Sequence, residues 1–216
     1  MSDHERGAYT PPTADAPLSF DPRQPVRGAR PVPLTLILSV LVLAALVGCL
    51  LQRTRVPVRR ALMALAACAA LVPGPHGPVY WLALAYQMPS LASIAVALWW
   101  LRGEATGKRL AIPTALWLGI SAMGGVLLLD TLALLPWPIY AVGFGTQALT
   151  VWLVASALLC IRPDLRTWGW AGVLIGLVFA VTRLPTGNLW DALSDPWLSL
   201  LALAVVLRRV GRRNTV

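Results

Sequence analysis

LAIPTALWLGISAMGGVLLLDTLALLPWPIYAVGFGTQALTVWLVASALLCI, residues 110–161, has one charged side chain in 52 positions, Asp130. A water-soluble domain of this size has no use for such a run. A bilayer is crossed by about 20 apolar residues of helix, so the stretch is long enough to cross twice and turn. The reading that follows is an all-α integral membrane protein, with Asp130 as its most expensive residue.

The rest of the chain agrees with that reading. Of 216 residues, 57% are hydrophobic and 12% charged, about half the charged share of a soluble domain. The net charge of +9 does not point to nucleic acid, because the arginines stand in short clusters between apolar runs. That is how a membrane protein marks its cytoplasmic side. Lys108 is the one lysine among 18 basic residues, as expected of a GC-rich bacterial genome. Residues 1–31 hold six prolines, four acidic and four basic residues, and are expected to be a disordered polar tail. Residues 32–210 are expected to form one helical domain and 211–216 a basic tail.

Seven apolar segments can be drawn: Val32–Leu51, Pro57–Val72, Val79–Leu101, Leu110–Leu129, Ile139–Ile161, Trp168–Leu184 and Pro196–Val210. The last extends backward to Leu189 if the helix is continuous. Pro57 suits a first helical turn, and Pro73-Gly74-Pro75 stops that helix. The second segment is short, so Arg59 and Arg60 are expected to snorkel, and Pro89 is expected to kink the third.

Lys and Arg crowd the first, third and fifth connections and the C-terminus, while the second and fourth have none and the sixth has Arg183 alone. Positive-inside insertion produces this alternation, and it puts the C-terminus in the cytoplasm. Seven crossings then place the N-terminus outside, against the grain of Arg23, Arg27 and Arg30. Six crossings, with both ends inside, is the alternative. The expected location is a bacterial inner membrane.

Eight of the ten tryptophans fall near proposed segment ends, where indole prefers the headgroup level; Trp117 and Trp152 do not. Gly172 and Gly176 form a small-residue stripe, read as ordinary helix packing. Cys49, Cys68 and Cys160 read as small buried residues. Two histidines, His4 and His76 with His4 in the polar tail, rule out a bis-histidine haem between helices. Leu46-Val47-Gly48-Cys49 has the outline of a lipoprotein cleavage box, countered by the apolar residues that follow it.

Under this topology the unusual polar groups share one membrane face: His76, Asp130, Arg183, Asp191 and Asp195, with Asn188 beside them. Asp130 either caps the next turn together with Thr131 or sits among helices and pairs with Arg183. Asp195 before Pro196 reads as an N-cap followed by proline in the first turn. Asp191 falls on a short helix, Leu189–Ser194, and Pro185-Thr186-Gly187-Asn188 reads as a turn. His76 reads as a loop residue facing solvent.

There is no HExxH, GxSxG, Walker loop, CxxC or internal repeat, and no cofactor or metal is implied. Small size, missing motifs and an apolar, Trp-rich surface point to a non-catalytic accessory, assembly or scaffold subunit of an envelope complex, with the lipid bilayer and a protein as partners. Two alternatives are a small proton-coupled transporter using Asp130, and a membrane enzyme acting on a lipid-linked substrate. The second would use Asp130, Asp191 or Asp195 as acid–base groups and Arg183 to hold a phosphate.

Overall fold

The computed structural model describes residues 32–52, 54–81, 88–107 and 112–213. All regular structure among them is helical. The helices are α1 (Val32–Leu50), α2 (Val56–Ala70), α3 (Leu91–Thr106), α4 (Thr114–Thr131), α5 (Ile139–Val142), α6 (Thr146–Ile161), α7 (Arg166–Thr182), α8 (Leu189–Leu193) and α9 (Pro196–Arg213), with a 3-10 turn at Gly74–His76. The expected tail at 1–31 and the expected site of Lys108 lie outside the described residues, as do 214–216. The basic end expected to be a tail from 211 is helical as far as Arg213.

Local chemistry explains most helix ends. Pro57 sits in the first turn of α2, where its missing N–H costs nothing. Ser90 caps α3, its hydroxyl accepting from Ser93 N at 3.0 Å, and Gly107 ends the helix at φ +67°. Asn188 caps α8, and Asp195 Oδ1 accepts from Leu198 N at 2.8 Å in the first turn of α9.

The expectation of a bundle of seven, or six, membrane-crossing helices is overturned. Among the described residues α4 alone is long and apolar enough to cross a bilayer. Its 18 residues reach roughly 27 Å, close to the hydrocarbon thickness of about 30 Å. The other apolar stretches are shorter: Leu34–Leu50 within α1, Thr146–Ile161 and Arg166–Thr182. Apolar runs in the sequence overstate helix length because turns and caps use apolar residues too. Ile139–Ile161 breaks at Gly143–Gly145 into α5 and α6. Leu189–Leu193 is a separate helix, divided from α9 by extended backbone at Ser194. The third segment has helical backbone at 78–81 but begins α3 only at Leu91, with 82–87 outside the described residues. α9 has the length, but Arg208, Arg209, Arg212 and Arg213 fill its last turns.

Two clusters form the core. Val42, Ala45, Leu46 and Cys49 of α1 meet Val96 and Ala97 of α3, Trp117 of α4, and Leu198, Leu201, Ala202 and Val205 of α9. Phe179 of α7 packs with Ala148 of α6 and with Leu189, Ala192 and Leu193 of α8. Full burial of a side chain such as Phe179 stabilises by about 2–3 kcal/mol. The small-residue stripe of α7 packs within the chain. A Cβ on Gly172 would stand 2.5 Å from Ser156 Oγ of α6, and one on Gly176 would stand 2.6 Å from Leu153 Cδ2. Trp152 Nε1 donates to Gly172 O at 2.9 Å across the same contact. The outer faces of α4, α6 and α7 remain apolar and exposed, with Leu128, Val151, Leu174 and Val181 facing outward.

Hydrogen bonds define how the helices run. Asp195, at the start of α9, bonds to the start of α3. Arg208, near the end of α9, donates to Leu50 O at the end of α1 (2.8 Å). Arg209 donates to Thr114 Oγ1 at the start of α4 (2.7 Å), and Gly124 midway along α4 lies against Ser199. So α1, α3 and α9 run in one direction and α4 runs in the other. From Asp195 to Arg209 is roughly 21 Å along the α9 axis.

Candidate functional site

The C-terminal end of α4, α5 and α8 bound a compact polar cluster. The turn after α4 leads through Pro136-Trp137-Pro138 into α5. Pro138 leaves the first-turn amides of α5 in need of an acceptor, and Asp130 supplies it: Tyr140 N donates to Asp130 Oδ2 at 2.6 Å. Asp130 is therefore a cap on the next turn. Thr131 takes no part, its hydroxyl donating back to Leu127 O at 2.8 Å.

The Tyr140 phenol reaches the other way and donates to Asp191 Oδ2 at 2.7 Å. The same oxygen accepts a short bond from Thr186 Oγ1. Asp191 is buried, as is Asn188. Asn188 Oδ1 accepts from Trp190 N at 2.9 Å, while its Nδ2 donates to Tyr140 O at 2.9 Å. Trp190 Nε1 donates to Ile139 O, and Leu189 N donates to Gly143 O, both at 2.9 Å. Gly143 is required by this approach, because a Cβ there would collide with Asn188 Oδ1 and the Trp190 ring. The loop before α8 is thus riveted to α5 through backbone and side-chain bonds together.

Asp195 belongs to a second, separate cluster. Its Oδ2 accepts from Ser90 N at 2.9 Å and from Ser93 Oγ at 2.6 Å, while Oδ1 caps α9. One buried carboxylate serves the first turns of two helices, where it also meets the positive ends of both dipoles. Ser194 and Ser199 hydroxyls bond to each other at 2.8 Å beside it.

Of the five residues singled out from the sequence, Asp130 and Asp191 are linked through the two ends of one tyrosine, and Asp195 lies in the neighbouring cap. Arg183 does not pair with Asp130. Among the described residues the ion pairs are Arg59–Glu104, Arg60–Glu104 and Arg162–Asp164. Arg183 closes α7 in the left-handed conformation, φ +54°, and its guanidinium lies 5.4 Å from the centre of the Phe179 ring. His76 ends the 3-10 turn and is exposed. No three His, Cys, Asp or Glu side chains gather closely enough for a metal ion among the described residues.

The sequence reading did not single out Tyr140, Ser90 or Ser93, and took Thr186 only as part of a turn. Each is a neutral hydroxyl residue inside or beside an apolar run. The available signal was the carboxylates themselves, since a buried Asp requires donors. The opposite end of the bundle holds another unanticipated site. Arg59, 8% exposed, does not snorkel but pairs with Glu104 at 2.5 Å and donates to Gln52 O at 3.2 Å. Arg60 stays exposed. Cys68 is exposed, whereas Cys49 is buried. Burial pushes the Cys49 thiol up to about 11, against the pull of Arg208 and Arg209.

No protein-family model matches the chain, and no solved structure matches it. A stretch of 47 residues is 77% identical to the cell division protein FtsN of Caulobacter vibrioides (strain NA1000 / CB15N). The stretch makes up 22% of this chain and 17% of that protein, so the chain matches less than a fifth of its bacterial relative.

Proposed function

We propose that the protein is a non-catalytic, membrane-associated accessory component of a bacterial cell-division or envelope assembly. The observation that carries this reading is the 47-residue stretch at 77% identity to a cell division protein. Identity that high over a short stretch supports a shared local task, such as engaging a common protein partner or a common membrane site. Location at the inner membrane is supported by α4, which has the length and composition of a span.

The chemistry of the polar residues supports a structural part. Asp130, Asp191 and Asp195 each accept bonds from backbone amides or hydroxyls of the chain itself. Carboxylates held this way stiffen turns and position helices. Val151 and Leu158 of α6 and Leu174 and Val181 of α7 are large apolar side chains left exposed, as expected of a surface that meets lipid or another protein.

The test is a fluorescent fusion of the full chain expressed from its own locus in the source bacterium. Enrichment at the division site, with longer cells on deletion, is the expected outcome. Uniform distribution around the envelope together with unchanged cell length on deletion would refute the division role.

A further inference from the structure

The two ends of the bundle carry opposite chemistry. Asp130, Asp191 and Asp195 lie at the end where α9 begins. The end where α9 finishes gathers the arginines. The Arg59–Glu104 pair joins the start of α2 to the end of α3 there, and Arg208 joins the end of α9 to the end of α1. Contact between the Trp99 and Trp168 rings, 5.2 Å between centres, places the start of α7 beside the last turns of α3. Arg55, Arg60, Arg102, Arg166 and Arg208 are all exposed at this pole. Among the described residues its acids are Glu104, held by Arg59 with the exposed Arg60 Nε 3.9 Å from the same oxygen, and Asp164, paired with Arg162.

Large aliphatic side chains are exposed between these arginines. Val58, Ile161, Leu207 and Val210 are 48%, 75%, 61% and 51% accessible. A nucleic-acid surface is polar as well as basic and has no use for such groups. A lipid headgroup layer has use for both, since guanidinium groups pair with phosphates while aliphatic groups reach the acyl boundary. Trp170, also exposed beside this pole, has the amphipathic ring favoured at that depth.

We propose that the arginine pole is a docking surface for anionic phospholipid headgroups. Arg60, Arg102 and Arg166 pair with lipid phosphates, and Val58, Ile161 and Val210 lie against the glycerol and upper acyl region. The surface acts in this way whatever assembly the chain serves.

The full chain in a non-ionic detergent is titrated with dioctanoyl-phosphatidylglycerol and with dioctanoyl-phosphatidylcholine, read by intrinsic tryptophan fluorescence. The anionic lipid is expected to bind at least about tenfold tighter, and the preference to shrink as salt rises from about 50 to about 500 mM. Replacing Arg60, Arg102 and Arg166 together by Gln is expected to abolish the preference, at about fivefold per arginine. R60Q and R166Q as single variants should each lose about fivefold, which keeps the test intact if the triple variant misfolds. R183Q, at the opposite pole, is expected to keep the full preference. Equal affinity for the two lipids overturns the proposal, as does an unchanged preference in folded R60Q and R166Q. So does loss of the preference in R183Q, competition by inorganic phosphate at equal concentration, or tighter binding of a short DNA duplex than of the anionic lipid.

Discussion

The Tyr140 phenol donates to Asp191 across 51 positions of sequence, at 2.7 Å, and this bond holds α8 against α5. It is a charge-assisted bond to a buried carboxylate, stronger than a neutral pair. Because Tyr140 N is taken by Asp130, one residue locks both ends of the connection.

Tyr140→Phe leaves Asp191 with the Thr186 hydroxyl as its side-chain donor. The expected loss is about 1.5–3 kcal/mol of stability. Urea unfolding in detergent, followed by tryptophan fluorescence, measures it. Adding Thr186→Val should show strong coupling in a double-mutant cycle, because both donors serve the same oxygen.

Gly143→Ala drives a methyl group into Asn188 Oδ1 and the Trp190 ring. The backbone must give way, at a cost of about 1–3 kcal/mol. Gly125→Ala is the control. Nothing stands near its Cβ position in α4, so the alanine should stabilise by up to about 1 kcal/mol through helix propensity. Equal midpoints for the two variants would contradict the packing at α5.

Asp195→Ala removes the acceptor for Ser90 N, Ser93 Oγ and Leu198 N in one step. Loss of the cap and two orphaned donors should cost at least about 2 kcal/mol. Hydrogen exchange is the decisive readout, since the first turns of α3 and α9 should both lose protection. Loss confined to α9 would mean that the carboxylate does not bridge.

Glu104→Leu removes both the counter-charge and the acceptor of the Arg59 guanidinium, whose Nε already lacks a partner among the described residues and whose remaining bond is to Gln52 O. Breaking a buried pair from one side typically costs about 3–5 kcal/mol. Arg59→Met combined with Glu104→Leu should recover most of that loss, as measured by thermal unfolding.

Cys68 and Cys49 should differ sharply toward thiol reagents. With its pKa raised to about 11, Cys49 stays a neutral thiol at pH 8, and it is buried as well. Maleimide at pH 8 should label Cys68 first, and Cys49 only after denaturant is added. Comparable rates in the native protein would show that the end of α1 opens.

Composition and pattern alone determined the helical class, the arginine clusters, the Pro57 start of α2 and the Asp195–Pro196 start of α9, because these rest on local propensity and on the few residues around each helix end. Helix length did not follow from pattern. Gly143–Gly145 divides what hydropathy joins between Ile139 and Ile161, and extended backbone at Ser194 parts Leu189–Leu193 from the last helix. Partner choice did not follow either. Arg183 looked like the mate of Asp130, but a hydrogen-bond partner is decided by which backbone and side chains come within about 3 Å, and that depends on how helices far apart in sequence are packed. Tertiary structure alone therefore joined Tyr140 to Asp191, Asp195 to Ser90 and Arg59 to Glu104, since each pair bridges elements whose approach no local pattern encodes.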